Sequence, residues 1–346
     1  MSNTIHSFGF GLATTNSAGE IIEVYYPEPR ISPSPQLTQA LSEICKLEED
    51  ANVVLELNPD TAKLLIGSFK GIGETSLATT LEALANGKDP ITACISCLDA
   101  APASIPEAFL KLHLLSHRLA KPHSLNLQGI FTVLRNLAWT NQGPIDLNDL
   151  PVRQLQTRLS GEVLDVHSID KFPKMTSYVV PSGVRIADTA RIRLGAYIGE
   201  GTTVMHEGFV NFNAGTLGNA MIEGRISSGV VVGEDSDLGG GCSTMGTLSG
   251  GGTEIISVGK NCLIGANAGI GFPLADGCII EAGLYVTAGT KVNLLDKGGE
   301  LIKTAKAKDI SELKNHVYRR NSLTGTVECV PSTRAASLNE ELHSHN

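Results

Sequence analysis

Three groups of residues have the types and spacing to do chemistry. Glu223 is followed at once by Gly224 and Arg225, which places a carboxylate two residues from a guanidinium. A carboxylate in a cleft can take a proton from an attacking group, and a cation beside it can hold an anionic one. Gly239-Gly240-Gly241 and Gly250-Gly251-Gly252 leave backbone N–H groups uncovered. Such groups can hold a thioester oxygen as charge develops on it, or line the path of a pantetheine arm. Arg319-Arg320-Asn321-Ser322, with Lys306, offers cations that suit the phosphates of coenzyme A. Each group also has a structural explanation. A lone loop glutamate is usually solvated, glycine triplets are often turns, and paired arginines are mostly surface charge. Taken alone, these residues are compatible with acyl transfer and do not require it.

Two other patterns point to structure more than to chemistry. Cys94 and Cys97 form a single C-x-x-C with no second pair or histidine pair at zinc spacing, so buried, reduced thiols on an apolar strand from Ile91 to Leu98 are expected. His113 and His117 stand at i and i+4 on a helix spanning 105–120. The glutamate of an H-E-x-x-H site is missing, so they are expected on a helix surface or a subunit contact.

The element that must position these residues is a repeat. From Ile186 aliphatic residues recur every six positions, through Ile192, Ile198, Val204 and Val210. The register returns at Ile226, at Val258 and at Ile280, and small residues such as Ala196, Gly208 and Cys262 stand four places after the aliphatic one. A period of six is neither helical nor a sustained strand alternation. It fits a hexapeptide β-helix, where each unit gives a short strand and a corner and three units close one coil. Residues 211–225 and 244–257 break the phase. They are expected to leave the coil as loops that carry function. Hexapeptide coils serve mainly acyltransferases, and some serve metal enzymes or scaffolds. A hydratase of the carbonic anhydrase kind would need several histidines on adjacent coils, and the repeat contains only His206.

The flanking segments complete the plan. Residues 1–180 are expected to form a mixed α/β domain. It begins with a hairpin of Phe8–Leu12 against Ile21–Tyr26, continues with a helix from Leu37, a strand at Val53–Leu57 and a helix at 75–86. The β-helix is expected over 181–296. A C-terminal segment, 297–346, follows. In that region 293–316 reads as a charged loop, Val317–Val330 as a hairpin around Thr324-Gly325, and 335–343 as a polar tail.

A formal charge of −9 with no basic run argues against a nucleic-acid partner. No apolar stretch reaches the roughly 20 residues needed to cross a bilayer. The opening residues lack the pattern of a signal peptide, so a cytoplasmic location is expected. Seven cysteines at irregular spacing are not a disulfide framework.

MHEGFVNFNAGT, GGGCSTMGTLSGG and YRRNSLTGTVEC are more specific than generic hexapeptides. With KFPKMTSYVVPSGVRIADTARIRLGAYIGE, the chain resembles the tetrahydrodipicolinate N-succinyltransferases of bacterial lysine biosynthesis, in the branch with a large N-terminal domain. The resemblance implies a left-handed β-helix and a homotrimer with sites between neighbours. It implies transfer of succinyl from succinyl-CoA to tetrahydrodipicolinate, with no obligatory cofactor. The family's catalytic glutamate falls on Glu223. Positions contacting succinyl-CoA fall on Arg225, Gly240, Ser243, Ala266, Glu281 and Ala282. They continue at Gly289, Lys306, Arg319, Arg320, Asn321 and Ser322. Some members bind a divalent cation, such as Mg, on the trimer axis through an Asp and a Glu. Glu207 matches the Glu, whereas Ala190 stands at the Asp position. Another hexapeptide acyltransferase, such as a serine or sugar acetyltransferase, would lack the long N-terminal domain. A non-catalytic scaffold would need neither Glu223-Gly224-Arg225 nor the glycine triplets.

Overall fold

The computed structural model describes residues 4–246 and 255–332. The chain divides into two units. One comprises Met1–Ala120, Ser124–Pro173 and Ser177–Val179, and the other Lys121–His123, Lys174–Thr176 and the chain from Val180 onward.

In the first unit, β1 (Ser7–Thr15), β2 (Ile21–Tyr25), β3 (Arg30–Ile31), β4 (Asn52–Leu57) and β5 (Ile91–Ser96) form one antiparallel sheet of order β2-β1-β5-β4, with β3 also on β1. Three helices, α1 (Pro35–Cys45), α2 (Pro59–Gly71) and α3 (Thr75–Ala85), pack their apolar stripes against Phe8, Phe10 and Ile95. Helices α1 and α2 begin with a side-chain cap, Ser34 and Asn58, followed by proline, which stops the preceding extended chain and satisfies a free N–H. The alternating residues of β1 are glycines. A Cβ on Gly9 would meet the Tyr26 ring at 2.7 Å and Leu110 at 3.0 Å, so that face admits α4 (Ile105–Ser116) only because the strand is bare there. Helices therefore cover both faces of the sheet.

Helix α4 corrects one expectation. It is buried along all but its first residue, and His113 is fully buried rather than on a surface. Its Nδ1 donates to the Phe109 carbonyl at 2.7 Å, and its Nε2 accepts the Tyr26 N–H at 3.2 Å. Cys94 and Cys97 are buried free thiols, and burial pushes Cys94 up to about 12. The unit ends with α5 (Ile130–Val133), β6 (Leu137–Thr140), β7 (Gly143–Asp146), α6 (Leu150–Leu159) and β8 (Val166–Asp170), whose strands form a second antiparallel sheet.

The second unit is a solenoid with three faces of parallel strands. The long face carries the strands at 185–186, 202–204, 220–222, 236–238, 263–264, 279–280 and 316–320 in that order. The second face carries 209–210, 225–226, 243–244, 269–271 and 285–287, and the third carries 197–198, 215–216, 231–232 and 257–258. Val204, Val210, Ile222, Ile226, Leu238 and Ile264 all point into the buried core.

The first phase break does not leave the coil as expected. Gly215–Thr216 and Ala220–Ile222 lie in register on Tyr197–Ile198 and Thr202–Val204. The phase is lost for two local reasons. Thr216 takes an inward position that is otherwise aliphatic, and it is fully buried on Thr202 Oγ1 at 2.7 Å and the Gly199 N–H at 3.0 Å. The step from Ile222 to Ile226 then takes four residues, where Val204 to Val210 takes six. The second break does contain extra chain. Ser243 pairs with Gly269, 26 residues on, where Arg225 pairs with Ser243 after 18. Residues 247–254, including Gly250-Gly251-Gly252, lie outside the described residues, as does the expected polar tail at 335–343.

The expected charged loop over 293–316 is in part strand. Lys291–Leu295 and Leu301–Lys306 pair antiparallel, because Val292, Leu294 and Leu295 are buried while the lysines face out. His316–Arg320 and Val327–Pro331 form the expected hairpin, and His316–Arg320 adds to the long face beside Ile279–Ile280.

Candidate functional site

The corner between the long and second faces gathers several of the candidate residues. Coil by coil it consists of Met205–Gly208, Glu223–Gly224, Gly239–Cys242, Gly265–Ala268 and Glu281–Leu284. Hydrogen bonds tie the last four of these corners together. The Gly241 N–H reaches the Glu223 carbonyl at 3.3 Å, Asn267 N–H the Gly240 carbonyl at 2.9 Å, and Gly283 N–H the Ala266 carbonyl at 2.8 Å. At the top, the Arg320 N–H donates to Glu281 Oε2 at 2.7 Å. Glu223, Gly240, Ala266, Glu281, Ala282 and Arg320 therefore stand in one column. Close stacking requires small residues here. A Cβ on Gly265 would lie 2.5 Å from the Ala282 nitrogen. Four strand spacings separate the Glu223 coil from the Arg320 strand, about 19 Å.

Glu223 occupies the shortened corner. Its N–H is held by the Leu238 carbonyl at 2.8 Å, and its half-buried side chain extends over Gly240. Gly224 has no room for a side chain, since a Cβ would meet Cys242 Sγ at 2.3 Å. Burial pushes the Cys242 thiol up to about 12, with the Asp237 carboxylate adding to the effect, so it is not a thiolate nucleophile at neutral pH. Arg225 starts the second-face strand and faces Ser243 in register. Two coils further on, the Tyr285 ring lies over Gly269, whose Cβ would meet it at 2.2 Å. A carboxylate, a guanidinium, a hydroxyl and open backbone thus adjoin one another.

Other candidates lie apart from this column. Gly289 and Lys306 meet at a different corner, where Ala307 N–H bonds the Thr290 carbonyl at 2.9 Å and Lys308 N–H the Ala288 carbonyl at 3.3 Å. Arg319 is committed to the buried Glu328, with Nε at 3.0 Å and Nη2 at 2.9 Å from Oε2. Asn321 Nδ2 donates to the other carboxylate oxygen at 2.8 Å. The Asn321 amide and the Arg319 guanidinium hold the Glu328 carboxyl below its ordinary range. Ser322 is exposed on the following loop. Glu328 was not among the sequence candidates. Its signal is its distance from Thr324-Gly325, which places it opposite Arg319 across the hairpin.

Glu207 is exposed, 3.2 Å from His206 Nδ1 and 3.9 Å from Arg191. Ala190 offers no ligand. Among the described residues, no three His, Cys, Asp or Glu side chains are grouped as a metal centre. Within one chain this position offers one carboxylate beside a guanidinium.

A stack of parallel hexapeptide coils with a carboxylate and open glycines at one corner defines the class, a hexapeptide-repeat transferase. The profile of the hexapeptide repeat of succinyl-transferases matches residues 255–288, and that of the tetrahydrodipicolinate N-succinyltransferase middle region matches 134–174. Relatives named 2,3,4,5-tetrahydropyridine-2,6-dicarboxylate N-succinyltransferase are 57% identical in Pseudomonas putida, over all of both chains, and 53% identical in Vibrio cholerae, over 98% of this chain and 99% of the relative. A crystal structure from Campylobacter jejuni described as a 2,3,4,5-tetrahydropyridine-2-carboxylate N-succinyltransferase superposes with a TM-score of 0.88. It is 30% identical and covers 97% of this chain and 94% of its own. The chain belongs to the tetrahydropyridine-dicarboxylate N-succinyltransferase family. No helix among the described residues is long and apolar enough to cross a membrane.

Proposed function

We propose that the chain moves the succinyl group of succinyl-CoA to the amine of tetrahydrodipicolinate, in its 2-amino-6-oxopimelate form, on the route to diaminopimelate and lysine. The observation that carries this is the column from Glu223 to Arg320. Its length of about 19 Å suits an extended pantetheine arm, with the thioester beside Glu223 and the phosphates beside Arg320. Ala266, Ala282 and Gly240 give the arm an uncluttered backbone to follow. Arg225 and Ser243 receive the succinyl carboxylate. Lys306 and Gly289 contact the donor from their own corner, and Ser322 lies with Arg320 at the phosphate end.

The amine nitrogen attacks the thioester carbon, a C–N bond forms, the C–S bond breaks and CoA leaves as thiolate. The amine's proton passes to the Glu223 carboxylate and from there to the CoA sulfur. Glu223 acts as the base, because forming a mixed anhydride from a thioester would be costly. The coil is left-handed, and three chains packed by their flat faces form a cytoplasmic trimer with the column in the clefts between neighbours. No step needs a cation. Glu207 from three chains would converge on the axis with Arg191 beside each.

Thiol release with succinyl-CoA and tetrahydrodipicolinate tests the reading. Glu223→Gln keeps the size and removes the base, so turnover should fall by about 10²–10⁴-fold while CoA binding survives. Near-normal turnover would overturn the assignment. A covalent succinyl-enzyme formed without acceptor would replace the base by a nucleophile.

A further inference from the structure

Glu328 has no place in the proposed reaction, yet it is a carboxylate only 7% exposed that ties together two of the donor-binding candidates. It pairs with Arg319 in strand register and binds it through two nitrogens, while its second oxygen accepts from Asn321. Asn321 in turn organises the whole turn. Its N–H bonds the Thr326 carbonyl at 2.8 Å, and its carbonyl accepts the Gly325 N–H at 2.7 Å. Its side-chain oxygen accepts the N–H groups of Leu323 at 3.0 Å and Thr324 at 3.1 Å. The Arg320 guanidinium reaches the Gly325 carbonyl at 3.1 Å, and the Arg320 N–H is held by Glu281. The loop is thus held throughout by bonds from its own chain. It holds Leu323 95% exposed, an orientation that burial of an aliphatic side chain does not explain.

We propose that Glu328 is the positioning residue of the coenzyme A loop. Through Asn321 it presets residues 320–326, and by neutralising Arg319 it leaves Arg320 to meet the phosphates. A preformed loop spends no binding energy on its own ordering. This rests on the donor site proposed above. Glu328 touches neither the thioester nor the amine, so its effect belongs to donor binding and not to the chemical step.

The test is calorimetric binding of coenzyme A to the full-length protein, together with steady-state kinetics in both substrates. Glu328→Ala should weaken CoA binding and raise the KM for succinyl-CoA by about tenfold or more. The kcat at saturation and the KM for the amine should stay within about twofold. Glu328→Gln retains an acceptor for Asn321 and should fall between the two. It also serves if the alanine variant does not fold. Unchanged CoA affinity in a folded variant, or a loss in kcat with KM unchanged, would overturn the proposal. If the unmutated protein neither binds CoA nor releases thiol, the donor site itself fails, a result distinct from variants that match the wild type.

Discussion

The carboxylate of Glu223 and the backbone of Gly240 meet across one step of the corner: a Cβ on residue 240 would stand 3.4 Å from Glu223 Oε2. That separation is ordinary contact, so the corner admits a methyl group without a clash. The same methyl would occupy space beside the base that the proposed donor arm needs. Gly240→Ala should therefore keep its melting temperature and CD spectrum but lose about 10–100-fold in kcat/KM, the scale of a misplacement near 1 Å. Wild-type activity would show that the arm does not pass over residue 240.

The repeat was legible in the sequence because aliphatic side chains must return inward every six residues. It became illegible where that rule is satisfied by something else. Thr216 and Thr244 fill inward positions with hydroxyls bonded inside the coil, so a search for aliphatic residues skips them. The four-residue step at Glu223-Gly224 then shifts the phase, and the two effects together imitate an insertion. Lys303 and Lys306 concealed a strand in a similar way, since their charges face out while its partner strand buries Val292 and Leu294. The corner column was only half legible. Gly240 and Ala266 are 26 residues apart in sequence, and only the register brings them together. His113 was misplaced because a helix buried on nearly every side offers no polar stripe to orient it.

His113 makes acid stability a test of the first unit. Burial pushes its imidazole down to about 3, while in the unfolded chain it titrates near 6.5. Between those values the unfolded chain holds the proton and the folded one does not. Stability should therefore be full above about 6.5 and fall as the pH drops toward 3. His117 is lowered by burial too, and adds to the loss. Glu23 acts the other way, since burial raises its carboxyl against hydrogen bonds from Thr14 and Tyr178. Comparing wild type with His113→Leu cancels both. At pH 7.5 the variant should be less stable by about 1–3 kcal/mol, because the Tyr26 N–H loses its acceptor. Its urea midpoint should then fall less between pH 7.5 and 5.5 than the wild-type midpoint does. Parallel slopes would mean that His113 takes up its proton in the folded state.

Arg225 offers the sharpest test of the acyl group. It faces Ser243 in register, one residue beyond the shortened corner that carries Glu223. A succinyl donor ends in a carboxylate and an acetyl donor does not, so only the first gains from a guanidinium there. Removing it leaves that carboxylate without its partner, at a cost of about 1–3 kcal/mol. Arg225→Ala should lower kcat/KM for succinyl-CoA by the corresponding factor and leave any residual acetyl-CoA turnover unchanged. Arg225→Lys should recover only part of the loss, since an ammonium keeps the charge but not the planar fork that grips a carboxylate with two bonds. The melting temperature should not move, because the side chain is exposed and the strand is held by the Arg225 N–H on the Cys242 carbonyl. Equal losses with both donors would assign Arg225 to the amine substrate or to the coil, and the succinyl carboxylate would need another partner.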